Sequence, residues 1–207
     1  MLVDCGPDFR QQALVQRIEH LSAIVFTHEH KDHVGGLDDI RPFNYHQKSE
    51  IPIYASNRVV EHLKLEYPYI FQENKYPGIP RIHVIEMDGK PFQVAGIEFI
   101  PIKVMHHQMP VWGYRIKDFT YITDANYIPE PEKEKILGSR ILVLNALQLD
   151  QHISHFNLQQ AIAMVEELKP ETAYFTHISH RLGLHQQITE KLPENIHLAH
   201  DGLTINI

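Results

Sequence analysis

A chain of 207 residues can build one substantial domain with its own core, and its 43% apolar share excludes a disordered polypeptide. A formal charge of −7 gives no electrostatic case for a nucleic-acid partner, whose phosphates attract basic surfaces. The one cysteine, Cys5, excludes an internal disulfide scaffold.

No apolar run reaches the ~20 residues that span a bilayer. No basic segment followed by an apolar stretch marks a secretory signal, so a cytoplasmic location is expected. The outlier is histidine, with 16 residues, several of them flanked by acids.

In chain order, residues 1–4 read as a strand. Cys5-Gly6-Pro7 turns into a helix with Pro7 in its first turn and Phe9, Ala13, Leu14 and Ile18 on one face. Residues 22–26 have strand length and feed directly into Thr27-His28-Glu29-His30-Lys31-Asp32-His33. Gly35-Gly36 precede a helix from about Leu37 that must yield or kink by Pro42. Residues 51–55 form a strand, and Ser56 caps a helix running to about Leu65.

The middle is β-rich, with strands expected at 82–85, 92–94, 97–104, 112–116, 120–122 and 141–144. Asn157 opens a helix through Leu168, with Gln160 completing a capping box and Pro170 beyond its end. Strands at 173–176, 196–199 and 203–207 close the chain. No linker or repeat divides it, so residues 1–207 are expected to form a single α/β domain of two sheets with helices outside.

His28-x-His30-x-Asp32-His33 carries the chemistry. Imidazole and carboxylate together suit zinc, manganese or iron, whereas an all-oxygen set suits calcium or magnesium. Four donors on so short a segment point in different directions, which two neighbouring ions relieve. The loop sits at a strand end, where α/β proteins place their sites.

These residues resemble the T-H-x-H-x-D-H motif of the metallo-β-lactamase superfamily. Asp4 matches that family's early aspartate, which supports the ligand loop from behind. Val104-Met105-His106-His107, Tyr121-Ile122-Thr123-Asp124 and Tyr174-Phe175-Thr176-His177 match its later motifs. The resemblance implies an αββα sandwich, here without the N-terminal strands. It also implies two divalent ions, zinc or manganese, with iron open. His28, His30 and His106 would hold one ion, Asp32, His33 and His177 the other, and Asp124 both. Alternation along a strand lets only one of His106 and His107 point inward, and the resemblance favours His106.

Gly36-Leu37-Asp38-Asp39-Ile40-Arg41, Gly113-Tyr114-Arg115, Thr176-His177-Ile178-Ser179-His180 and Asp201-Gly202 are most similar to one branch. It contains the phosphoribosyl cyclic phosphodiesterase and the tRNA 3′-processing endonuclease, the former being nearer. A histidine placed like His155 there acts as general acid or phosphate contact, with helix capping as its bland alternative and His152 easily mistaken for it. Asp32 and His155 are thus the candidate catalytic residues. Supporting or surface roles are expected for His180 and His185. Arg10 and Arg41 would meet either a substrate phosphate or a nearby aspartate.

The expected reaction is hydrolysis of a small phosphodiester, cyclic ones included, by a hydroxide bridging the two metals. Relatives carry strands, a Gly-rich turn and, in the phosphodiesterase branch, cysteines ahead of the position matching Met1. Without them an exposed sheet edge is expected, which leaves room for a homodimer. The competing expectations are a tRNA-processing nuclease, a thioester or lactone hydrolase, and a metal-binding protein without turnover.

Overall fold

The computed structural model describes residues 1–73 and 76–207, and the chain resolves into two compact units. The first comprises Met1–Lys90 with Val94–Gly96. Its sheet has four parallel strands in the order β1 (Leu2–Val3), β2 (Ile24–Val25), β3 (Ile51–Ala55) and β4 (Ile82–Glu86). Along β3, Ile51, Ile53 and Ala55 are fully buried while Pro52 and Tyr54 are only half so, the period of two expected of a strand. The core gathers Phe9, Phe26, Leu37, Ile40 and Leu63 around these residues.

Two local expectations fail here. The first helix spans Phe9–Val15 and buries Phe9 and Ala13, but Leu14 is 62% exposed. Ile18 lies beyond the helix end, where Arg17 turns left-handed at φ 52°, so it cannot extend the apolar face. Pro42, expected to stop a helix, instead starts one. A 3₁₀ turn, Leu37–Ile40, precedes helix Arg41–Gln47, and Pro42 occupies its first turn, where a missing N–H costs nothing. Ser56 caps helix Asn57–Glu66 as its sequence suggests.

The second unit comprises Pro91–Gln93 and Ile97–Ile207. Its strands are β5 (Phe92–Val94, of which Phe92 and Gln93 belong to this unit), β6 (Ile97–His106), β7 (Met109–Ile116), β8 (Phe119–Ile122), β9 (Ile141–Asn145), β10 (Thr172–Thr176) and β11 (Ile196–Leu198). They form one seven-stranded sheet in the order β11-β10-β9-β8-β7-β6-β5. β9 is paired in parallel on both sides and every residue of it is buried, which explains its unbroken apolar run. Helix Leu158–Leu168 begins with the expected Asn157–Gln160 capping box, and Ala161, Val165 and Leu168 pack into the core.

Residues 203–207 form no strand. The Asn206 carbonyl accepts from the Arg140 side chain at 3.2 Å instead of joining a ladder beside β11, the last strand of the sheet order. The two-sheet α/β composition otherwise agrees with the architecture the motifs imply. Among the described residues no helix is long and apolar enough to cross a membrane.

Candidate metal centre

In the first unit the histidine motif starts where β2 ends. Phe26 and Thr27 are buried, and helix Lys31–Val34 begins inside the motif with His30 at its cap. The chain therefore reverses within a few residues and gathers its imidazoles. The His28 ring centroid lies 4.7 Å from that of His30 and 4.1 Å from that of His33. Asp32 is exposed, with Oδ2 3.4 Å from His33 Nε2.

Asp4 organises this group from behind. It follows β1 with φ 59°, a left-handed conformation uncommon outside glycine and costly enough to suggest a purpose. Its Oδ1 accepts the Thr27 backbone N–H at 2.8 Å, and its Oδ2 accepts the Thr27 hydroxyl at 2.7 Å. The same Oδ2 faces His33 Nδ1 at 2.7 Å. A carboxylate only accepts, so His33 carries its proton on Nδ1. The Thr27 hydroxyl spends its single proton on Asp4, so toward His28 Nδ1, 2.9 Å away, its oxygen accepts. His28 is therefore protonated on Nδ1 as well. In both rings Nε2 is the nitrogen that keeps a lone pair.

The second unit repeats the device. His106, at the end of β6, donates from Nδ1 to the Asp124 carbonyl at 2.9 Å, which again assigns the lone pair to Nε2. His107 is the turn residue of the tight β6–β7 hairpin. It adopts φ 57°, its backbone N–H meets Asn126 Oδ1 at 2.8 Å, and it is exposed. Positive φ is what two-residue hairpin turns demand, so the adjacent histidines take separate roles.

Asp124 follows β8 with φ 55°, and His177 follows β10 with φ 54°. Asp124 is buried; its Oδ2 accepts from Thr123 at 2.6 Å, while Oδ1 lies 2.8 Å from His155 Nε2 and 3.0 Å from His177 Nε2. The His155 and His177 rings stack at 5.0 Å and 10°. Asn145, at the buried end of β9, clamps the segment behind Asp124 by bonding both the N–H and the carbonyl of Ala125, at 2.8 and 2.9 Å. His106, Asp124 and His155 each offer one ligand atom, all within 4.8 Å of one another. Imidazole nitrogen and carboxylate oxygen at that spacing fit a divalent cation of the zinc, manganese or iron kind.

The other candidates stand apart from these donors. Arg41 bonds the Asp38 backbone carbonyl at 3.0 Å, and Arg10 lines a surface cleft with Leu14, Ile18 and Phe43. His180 is exposed. His185 borders a cavity of about 430 Å³ that also reaches His177, His200 and Asp201. Sequence reasoning gave no role to Thr27, Thr123 or Asn145. The recurring threonine ahead of His28, Asp124 and His177 was the available signal.

The family model described as "Beta-lactamase superfamily domain" matches residues 1–178, across both units. The chain belongs to the metallo-β-lactamase superfamily. Most members of that superfamily are metal-dependent hydrolases, and the His/Asp donors here are compatible with divalent metal binding.

A crystal structure of a diphosphatase from the PhnP family is 36% identical to the chain. It covers all of this superfamily member and 79% of itself, with a TM-score of 0.92. Metallo-β-lactamase fold protein YhfI from Bacillus subtilis is 20% identical over 98% of this chain and 85% of its own, with a TM-score of 0.77. Human tRNase Z, short form, is 19% identical over 99% and 87%, with a TM-score of 0.66. These last two show the fold alone. A curated relative from Porphyromonas gingivalis (strain ATCC BAA-308 / W83), named octanoyltransferase, is 40% identical over 205 residues. The match takes in 98% of this chain and 41% of that protein, so the chain spans about two fifths of the relative's length.

Proposed function

We propose that the chain is a phosphodiesterase that hydrolyses a small phosphodiester, cyclic diesters included, with two divalent ions. In this reading His28, His30 and His106 would hold one ion and Asp32, His33 and His177 the other, with Asp124 serving both. Divalent cations, when bound, would supply Lewis acidity and lower the pKa of a bound water toward about 7.

The observation that carries the reading is His155 Nε2 at 2.8 Å from Asp124 Oδ1. It sets a proton carrier beside the carboxylate assigned to both ions. As the bond from phosphorus to the leaving oxygen breaks, the proton on Nε2 passes to that oxygen and the imidazolium becomes neutral. An alkoxide needs such a proton, whereas a thiolate leaves readily without one. The PhnP-family diphosphatase, a protein of phosphorus chemistry by name, supports the same side.

The P. gingivalis relative, named for octanoyl transfer, favours a second reading on an acyl substrate, in line with the thioester hydrolase among the competing expectations. Acyl transfer through a covalent thioester needs a thiolate. The single cysteine, Cys5, is buried, and desolvation pushes its thiol well above the ordinary range. Acyl chemistry here would have to proceed by direct hydrolysis.

Zinc- or manganese-loaded protein should hydrolyse bis(p-nitrophenyl) phosphate and a diester with a poorer leaving group. Asp124→Ala should abolish both activities, and His155→Ala should slow the second about a hundredfold. Metal-loaded protein that leaves both diesters intact while cleaving an octanoyl thioester would replace this reading with the second.

A further inference from the structure

The ligand segment of the first unit has a second side. His30 is extended, with φ −62° and ψ 149°, and in extended backbone successive side chains point opposite ways. Glu29, between His28 and His30, turns from their side toward helix Asn57–Glu66 and is only 9% exposed. Its Oε1 accepts from Arg58 Nε, while its buried Oε2 meets no donor among the described residues. One guanidinium balances a carboxylate lodged between two imidazoles.

Arg58 stands on a fixed support. Its helix buries Val59, Val60 and Leu63 in the core of the first unit. The far end of the same helix, about 12 Å along its axis, grips the next turn of the ligand segment. There Glu66 Oε2 accepts from Lys31 Nζ at 2.5 Å. Tyr67, which caps the helix, donates its hydroxyl to the Val34 carbonyl at 3.0 Å. Residues 29, 31 and 34 thus meet this brace, while the candidate donors are 28, 30, 32 and 33. Lys31 and Glu66 are exposed, and such pairs contribute little. Glu29 is different, because removing its cation would leave a carboxylate buried and uncompensated.

We propose that Arg58 is a positioning residue for the metal centre: it holds Glu29 and so fixes the backbone from which His28 and His30 project. Without the guanidinium the carboxylate seeks water and draws both rings with it. The inference rests on the assignment of His28 and His30 to one ion, but not on a phosphodiester as substrate.

The test is calorimetric titration of the metal-free protein with zinc. Arg58→Met keeps the aliphatic stem and removes the charge. It should weaken one binding step about tenfold to a hundredfold and leave the other within about threefold of wild type. The weakened step should be the one that His106→Ala abolishes. Adding Glu29→Gln, which leaves no charge to strand, should recover most of the loss. Arg58→Lys keeps the charge without the Nε donor, and should show a smaller loss at the same step even if the Met variant fails to fold. As a control, Lys64→Met breaks an exposed pair with Glu61 on the same helix and should stay within about twofold of wild type. Unchanged zinc binding in the Arg58 variants, equal weakening of both steps, or no recovery with Glu29→Gln overturns the proposal. So does a wild type that takes up no zinc, which also retires the ligand assignment. Inertness toward every diester, with the selective loss present, would retire the phosphodiesterase reading and retain the role of Arg58.

Discussion

Asp4 Oδ2 meets His33 Nδ1 at 2.7 Å, and through Thr27 the same carboxylate also sets the tautomer of His28. One residue outside the histidine motif therefore aims two of its rings. Asp4→Asn replaces an acceptor-only oxygen pair with an amide that can present N–H to His33 and release the ring. Metal content after dialysis against a graded chelator should show affinity lower by about tenfold to a hundredfold. Thr27→Val should give a smaller loss of the same kind. Unchanged affinity in Asp4→Asn would mean the contact is incidental.

His106 and His107 make a sharper contrast, because they differ in geometry and not in chemistry. His106 is buried with Nδ1 tied to the Asp124 carbonyl, whereas His107 is exposed at the hairpin turn. His106→Ala should bind less metal and lose at least about a hundredfold of any hydrolytic activity, in line with loss of an essential metal or acid–base group. His107→Gly, which suits positive φ, should keep metal and activity within about twofold and match or exceed wild-type stability. Metal titration of the two variants side by side separates the roles; equal losses would refute the assignment.

How much of this was legible in the chain depends on whether each feature is local. The donors from His28 to His33 are, and so is the Asn157–Gln160 box, because short spacing fixes their geometry. Motif resemblance favoured His106 over His107, but the physical contrast between them lies in the hairpin register, in which His106 pairs with Met109 and leaves His107 to turn. The Arg58–Glu29 contact was beyond reach, since it depends on where helix Asn57–Glu66 comes to lie. The apolar face drawn through Leu14 and Ile18 failed because periodicity assumes the helix continues, and Arg17 ends it. The strand expected at 203–207 does not form although β11 ends the sheet order, and alternation alone never reveals whether a segment joins a ladder.

Close backbone packing supports the ligand loop in a way open to direct attack. The Cys5 N–H bonds the His33 carbonyl at 2.7 Å and the Gly36 N–H bonds the Cys5 carbonyl at 2.8 Å, drawing the Cys5–Gly6 turn onto the loop. A Cβ on Gly36 would stand 2.1 Å from the Gly6 carbonyl oxygen and 2.9 Å from Phe9 Cβ. Neither neighbour is a flexible tip. Gly36→Ala should therefore cost about 1–3 kcal/mol, near the usual penalty for overpacking, and lower the thermal midpoint by several degrees. Metal binding should weaken with it, because the displaced turn carries Asp4 at its head. A variant as stable as wild type in calorimetry would show that the loop has room to spare.

Cys5 itself gives a prediction with a definite sign. Burial, reinforced by the negative charges of Asp39 and Asp4, raises its thiol far above the ordinary value of about 8.5. The folded protein should thus resist thiol reagents at pH 8 and react only after unfolding. For stability, a group whose folded pKa is raised contributes fully below its unfolded pKa. That contribution fades as pH climbs, because the unfolded chain sheds the proton first. Stability should therefore fall from about pH 8.5 upward, and denaturant unfolding of Cys5→Ala, which cannot ionise there, should fall less steeply between pH 8 and 10. Parallel slopes for the two proteins would show that the thiol is reached by water in the fold. Rapid labelling of native Cys5 would say the same.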